Sequence, residues 1–416
     1  MTVARARTLL GVLLCASTLL NYLDRLSIGI VSVEIRTQFH MTPQDYGNVL
    51  SLFFVAYTVM YAGSGWVLDR LGTRRGFALF MAAWSLAQML HGFAQGIATL
   101  AACRFLLGLA EPGAWPGAAK AVAEWLPPPR RALYMGIFNS GTSLGSAAAP
   151  VLIAAITISY GWRSAFVVTG LLGIVWLIAW LAFYNPPAQS RWLSPADHAS
   201  LTQELTPAQP LAHPSRTSLT LFLTRPCLSL TLTRFFTDPV IYFAIFWLPE
   251  YLRTSRGFNL AMIRDYAWLP FLAGGLGYIG GGWLSGHLID KGWNLRRARN
   301  AGLFAGAALM PLTMLTPFVP NAALALLTTS FLTIGHGVWV ANFQTLPADL
   351  YPNHEVGRVM GFSGAGGALG GVVAQLATGW IVTHFSYTPT FLMAGLMHPM
   401  CAAFLFRTLR PRDFQP

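Results

Sequence analysis

The chain has 416 residues, of which 54% are hydrophobic and only 10% charged, where an ordinary soluble domain carries about 25% charged residues. That composition excludes a water-soluble globular domain and suits a chain whose main solvent is lipid. The net charge of +12 would suit a nucleic-acid binder if the basic residues formed one patch, but they are spread through the breaks between apolar runs, and no nucleic-acid partner is expected.

A bilayer core of about 30 Å takes roughly 20 mostly apolar residues per helix. Runs of that length lie at 8–30, 46–68, 76–95, 97–123, 131–156 and 163–183, and again at 228–252, 268–289, 300–319, 321–346, 356–382 and 388–407. They predict an all-α membrane protein with twelve transmembrane helices in two pseudo-symmetric six-helix bundles. The first run follows Arg5 and Arg7 like a secretory leader. No small-residue cleavage site follows it, however, and the apolar stretch continues through Asn21-Tyr22-Leu23-Asp24-Arg25, so it is expected to stay as the first helix. The longest polar break, 185–227, reads as a cytoplasmic linker between an N-terminal bundle (1–184) and a C-terminal bundle (228–416). Inside it, Ser194-Pro195-Ala196-Asp197 places a serine cap before a proline in the first turn, the signature of a short surface helix. Basic residues such as Arg70, Arg74, Arg75, Arg296, Arg297 and Arg299 gather in alternate breaks. The positive-inside rule then puts both termini in the cytoplasm, with the chain spanning a bacterial inner membrane. Cys15, Cys103, Cys227 and Cys401 fall in or beside apolar runs without metal-ligand spacing and are expected to be free thiols, with no metal site.

The two halves repeat one plan. Glu124, Pro127, Met135, Gly136, Leu144, Gly145, Phe166 and Gly170 match Asp349, Pro352, Met360, Gly361, Leu369, Gly370, Phe391 and Gly395 in constant register. Duplicated six-helix halves are a transporter signature, with the site between them near the bilayer midplane. The glycine run Gly361 to Gly371 has no preceding strand and no lysine of a nucleotide loop, so close helix packing explains it.

Gly65-Trp66-Val67-Leu68-Asp69-Arg70-Leu71-Gly72-Thr73-Arg74-Arg75, between the second and third runs, resembles the loop motif of the major facilitator superfamily, and Gly286 to Arg297 is a weaker copy. An aspartate there can meet a helix N-terminus while basic residues pair with a carboxylate across the inner face. Asp69, Arg70, Arg74 and Glu124, with Asp290, Arg297 and Asp349, are therefore the expected gating residues. The alternative is an ordinary inner-loop charge cluster. Within the superfamily, Asn21 to Arg25, Phe138-Asn139-Ser140-Gly141-Thr142-Ser143-Leu144-Gly145 and Phe246-Trp247-Leu248-Pro249 are similar to the anion:cation symporter branch, and most of all to bacterial hexuronate transporters.

An ionisable side chain at membrane depth costs about 2.5–3.5 kcal/mol on insertion scales, so each must face a cavity or a partner. A guanidinium holds a carboxylate with two parallel hydrogen bonds and keeps its charge, which makes Arg25 the expected grip on a substrate anion. Asp24 is adjacent but about 100° round the helix. Arg104 and Glu111, two turns apart on one face, are expected at the cavity, with Arg104 able to pair with a carboxylate after its proton leaves. The alternatives are structural ion pairs: Arg25 with Asp24 or Glu111, and Arg104 with Glu111. In the resembled family the residues matching Asp24 and Glu111 are associated with proton coupling, and the one matching Arg25 with anion binding. Tyr22, Tyr57, Asn139 and Thr142 from the first half, and His336, Trp339, Asn342 and Ser363 from the second, could meet sugar hydroxyls or stack on the ring. Arg234 and Asp238, four residues apart, read as a local pair, and Lys120 as a lysine snorkelling to the interface.

The implied function is import of a sugar-acid anion (hexuronate, aldonate or aldarate) with protons, by alternating access of the two bundles. The expected partners are a small carboxylate, protons and the bilayer; the protein is expected to be monomeric, without cofactor or covalent chemistry. Two rivals stand beside this: an organic-anion exchanger or uniporter without proton coupling, and a membrane enzyme. The second has poor support, because no His-x3-His pair or nucleophile motif is present.

Overall fold

The computed structural model describes residues 2–126, 128–190, 193–205, 218–351 and 353–414; side chains at 62, 69, 128–133, 188, 202, 203, 205, 218, 219, 348, 353, 354, 357 and 412 lie outside that description. Among the described residues no strand occurs. Span one is Val3–Ile30, and spans two and three share the helix Pro43–His91. Span four runs Ile97–Ala110 and resumes as Ala114–Trp125 after the 3-10 turn Glu111–Gly113. Spans five and six are Pro128–Tyr160 and Trp162–Phe183. Span seven is Arg225–Phe246, continued by Leu248–Arg256. Span eight is Leu269–Asp290, and span nine is Leu295–Leu309 with the 3-10 turn Met310–Leu315. Spans ten to twelve are Ala322–Phe343, Asn353–His384 and Thr388–Thr408. Among the described residues, 7 helices are long and apolar enough by themselves to cross a bilayer.

Local chemistry explains the main junctions. Thr42 and Asp45 form a reciprocal capping box that starts the second span. The motif expected as a loop between spans two and three is helical almost throughout, and the chain turns at Gly72, whose φ of +74° a side chain would oppose. In the linker, Ser194 caps the helix Pro195–Leu205 through the Asp197 N–H at 3.1 Å. Arg7 ties that helix to span one by an ion pair with Glu204 at 2.9 Å. The four cysteines are free.

The internal repeat appears in the packing. A Cβ on Gly141 or Gly145 of span five would overlap the backbone of span one at Cys15 or Leu19. A Cβ on Gly366 or Gly370 of span eleven would likewise overlap span seven at Thr231 or Phe235. Small residues thus set equivalent helix pairs in close contact in both bundles.

The bundles touch on the side away from the termini. Gly29 packs on the backbone of Ile245 and Phe246, and Gly47 on that of Gln375 and Gly379. Tyr46 donates to the Phe246 carbonyl at 3.1 Å. Two ion pairs, Arg36–Glu250 and Arg253–Glu34, bridge the bundles at the same level. On the terminal side, a Cβ on Gly65, Gly136, Gly286 or Gly361 would meet no atom within 4 Å. The backbone contacts and ion pairs that join the bundles thus gather at the face away from the termini.

Candidate functional site

A polar cavity lies between the bundles, with about 720 Å³ of empty space including its open mouth. Tyr22 and Thr142 line it from the first bundle, and Arg234, Asp238, Tyr242 and His336 from the second. A separate crevice beside Phe236, Val373 and Met393 is almost wholly apolar. An anion there would have no partner, so it does not compete as a polar-ligand site.

Behind Tyr22 sits a fully buried charge pair of the first bundle. Arg25 donates through Nη2 to Glu111 Oε2 at 2.5 Å and through Nε to the same oxygen at 3.1 Å. The two side chains are 4% and 0% exposed, so the pair is sealed from bulk water. The rings of Tyr22, Phe53 and Tyr57 stand 5.3, 5.4 and 5.1 Å from the guanidinium carbon, a cation–π surround that keeps the charge while excluding water. Glu111 owes its position to Pro112, whose ring and missing N–H break the helix of span four at that point. Gly108, one turn earlier, has the Phe53 backbone where a Cβ would stand, so span four is pressed against span two.

Asp24 faces the opposite way. Its Oδ2 accepts from Trp84 Nε1 at 3.0 Å, its Oδ1 has no partner among the described residues, and it is fully buried. Arg104 is also fully buried, and none of its three guanidine nitrogens makes a hydrogen bond among the described residues. Its charge is balanced only through space, with Glu111 and Asp24 among the groups acting on it. Both amide atoms of Asn21, one turn before Arg25, are equally unpartnered and buried. Span one thus carries a band of polar groups whose bonding is incomplete.

Several expectations need correction. Arg25 does not line the cavity; it lies one side chain back, already holding Glu111. Arg104 is not among the cavity-lining residues and makes no hydrogen bond to Glu111, whose Oε2 is held by Arg25 from the neighbouring span and whose Oε1 has no partner among the described residues. Tyr57 stands beside Arg25 and is not among the cavity-lining residues. Asn139 is partly exposed; its carbonyl accepts from Thr142 at 2.8 Å. Trp339 belongs to the core of the second bundle, edge-on to His398 and stacked on Phe343. Asn342 is fully buried and donates to the Gly281 and Val338 carbonyls at 3.1 and 2.9 Å. It holds spans eight and ten together. Ser363 is buried and donates to its own helix at Met360.

Arg234 and Asp238 were passed over as a local pair. They are one, with Arg234 Nε and Nη2 each 2.8 Å from Asp238 Oδ2, yet both line the cavity. Arg234, Asp238 and Tyr242 recur every four residues along one face of span seven, a spacing visible in the sequence.

At the terminal side, Glu124 accepts from Thr73 and Tyr184, each at 2.5 Å, and among the described residues no arginine bonds to it. Arg74 instead donates to the Leu181 carbonyl at 2.5 Å, and Arg70 lies over the Trp66 ring at 4.0 Å. In the second bundle Asp349 accepts from Arg299 Nε at 2.8 Å, while Arg297 and Asp290 are exposed. The Asp69 side chain lies outside the described residues.

Comparison with known proteins agrees with this architecture. The family model described as Major Facilitator Superfamily matches residues 14–375 and 340–415. The chain is 27% identical over 396 residues to the D-galactonate transporter of Escherichia coli O6:H1, covering 93% of this chain and 92% of that one. It is 27% identical over 401 residues to the hexuronate transporter of Escherichia coli strain K12, covering 96% and 93%. A bacterial homologue of the human lysosomal transporter Spinster, solved in an inward-facing and unoccupied conformation, superposes with a TM-score of 0.76 at 19% identity, over 99% of both chains. The chain is therefore a multi-pass membrane transporter, not an enzyme, and it belongs to the Major Facilitator Superfamily.

Proposed function

We propose that this protein imports a sugar-acid anion of the hexuronate or aldonate type together with protons, by alternating access across a bacterial inner membrane. The similarity to hexuronate and D-galactonate transporters supports the substrate class, and the distribution of basic residues supports cytoplasmic termini. With that orientation, the ion pairs and backbone contacts joining the bundles lie at the outer face, which supports reading this as an inward-facing state.

The observation that carries the mechanism is the sealed Arg25–Glu111 pair one ring behind the cavity. A substrate carboxylate and Glu111 are rivals for one guanidinium. When Glu111 takes a proton it loses its charge-assisted bond to Arg25, and the substrate carboxylate replaces it, so anion and proton load together. When the anion leaves toward the cytoplasm, Arg25 draws Glu111 back as the carboxylate and the proton departs. Asp24, with one carboxylate oxygen on Trp84 and the other free, is the second proton carrier. Arg104 offers a donor-rich partner for whichever carboxylate is charged. Glu124 with Thr73 and Tyr184, and Asp349 with Arg299, fasten the inner ends of the spans in the gating cycle, together with Asp69, Arg70, Arg74, Asp290 and Arg297.

Uptake of labelled D-galacturonate or D-galactonate into proteoliposomes tests this reading. An inside-alkaline pH gradient should drive accumulation, and Arg25→Ala should abolish binding as well as uptake. Uptake indifferent to the gradient would favour the exchanger or uniporter, and wild-type affinity in Arg25→Ala would discard the carboxylate exchange.

A further inference from the structure

Resting on that reading, we infer that the Arg234–Asp238 pair reads the uncharged, hydroxyl-bearing end of the substrate and so restricts transport to monoanionic polyhydroxy acids. Dianions such as aldarates are excluded.

The case begins with what faces the cavity. Among its lining residues the formally charged ones are Arg234 and Asp238, and they neutralise each other. His336 also lines it, and its Nδ1 lies 3.2 Å from His398 Nε2. One imidazole of such a pair donates and the other accepts, which both can do while neutral. The wall contributed by the second bundle thus carries no net charge. A second carboxylate on the substrate would find no unpaired cation there.

The pair nevertheless keeps unused bonding capacity. Asp238 Oδ2 accepts a hydrogen bond from Arg234 Nε and stands in ion-pair contact with Nη2, while Asp238 Oδ1 and Arg234 Nη1 have no hydrogen bond among the described residues. Neither is among the buried atoms left without a partner, and the side chains are 23% and 14% exposed. That exposure is to the cavity they line. A donor and an acceptor held side by side match a diol, whose oxygens accept from the guanidinium and whose O–H groups give to the carboxylate. A carboxylate at the same place has no hydrogen to give and sets a like charge against Asp238.

The pair is also packed closely against span eleven. A Cβ at Gly367 would overlap the Asp238 carboxylate, and one at Gly364 would stand 3.1 Å from Arg234 Nη1. Part of the glycine run in span eleven therefore makes room for these two side chains, beyond allowing helices to approach. A pair held there excludes the wrong ligand through repulsion as well as attracting the right one.

The test measures binding of D-galactonate, D-galacturonate and galactarate to purified full-length protein by calorimetry at one pH. Wild type should bind a monoanion, and galactarate on the order of 100-fold more weakly. Asp238→Asn frees the guanidinium charge and should shrink that ratio at least about tenfold, whereas Asp238→Glu should keep it. A purely structural pair would weaken all three ligands equally in Asp238→Asn and leave the ratio unchanged, which overturns the inference. If Asp238→Asn does not fold, the wild-type ratio decides, and near-equal affinities for galactarate and galactonate overturn it. That outcome leaves the sugar-acid reading standing, whereas failure of all three to bind wild type removes both.

Discussion

The seal between the bundles gives a prediction whose size follows from the structure. Glu250 is fully buried, Arg36 reaches it across the bundle interface, and its other oxygen has no partner among the described residues. Arg36→Gln therefore strands a buried carboxylate, but only while the outer face is closed. Removing one partner of a buried pair costs about 3–5 kcal/mol. The Arg36 side chain is 18% exposed, and water reaching the site reduces the cost to about 2 kcal/mol. That is roughly a 30-fold shift toward the outward-open state. Spin labels on cysteines replacing Thr37 and Ser255, both exposed at this face, would report it by pulsed electron resonance in a background lacking the native cysteines. Arg36→Gln should add a long-distance population, and the charge swap Arg36→Glu with Glu250→Arg should remove it. Identical distance distributions in wild type and Arg36→Gln would refute the argument that this pair holds the outer face shut.

Two further outcomes probe packing. Gly370→Val forces a branched side chain into the Phe235 backbone; overpacking of this kind costs about 1–3 kcal/mol, so the melting temperature in detergent should fall, and an unchanged melt would contradict the close contact of spans seven and eleven. Trp339→Leu should lower the melting temperature while leaving sugar-acid affinity at its wild-type value, and a loss of affinity without loss of stability would return this residue to the site.

The spans were legible because lipid demands long apolar runs, and the duplicated pattern was legible because both bundles need glycine at the same crossings. The charges in span one and span four stood out for a related reason: burying Asp24, Arg25, Arg104 and Glu111 is costly, so their presence had to mean something. Which charge meets which was not legible. Arg104 and Glu111 share a helix face by spacing, yet Pro112 breaks the helix at Glu111 and Arg25 arrives from another span, a tertiary event that no spacing rule contains. Trp339, Asn342 and Ser363 were misplaced because side chains able to bind a sugar are equally able to pack helices, and the sequence does not say which way they point. Arg234 and Asp238 were missed because a pair that satisfies itself locally looks finished; only the cavity beside it reveals its free atoms.

The central claim is that a proton on Glu111 frees Arg25 for the substrate. Binding of D-galactonate to purified wild type and Glu111→Gln, followed by calorimetry across pH, tests it most directly. Wild-type affinity should rise as pH falls, since protonation removes the competing carboxylate, and Glu111→Gln should bind at every pH while supporting no gradient-driven accumulation. Affinity in Glu111→Gln with the same pH dependence as wild type would contradict the account.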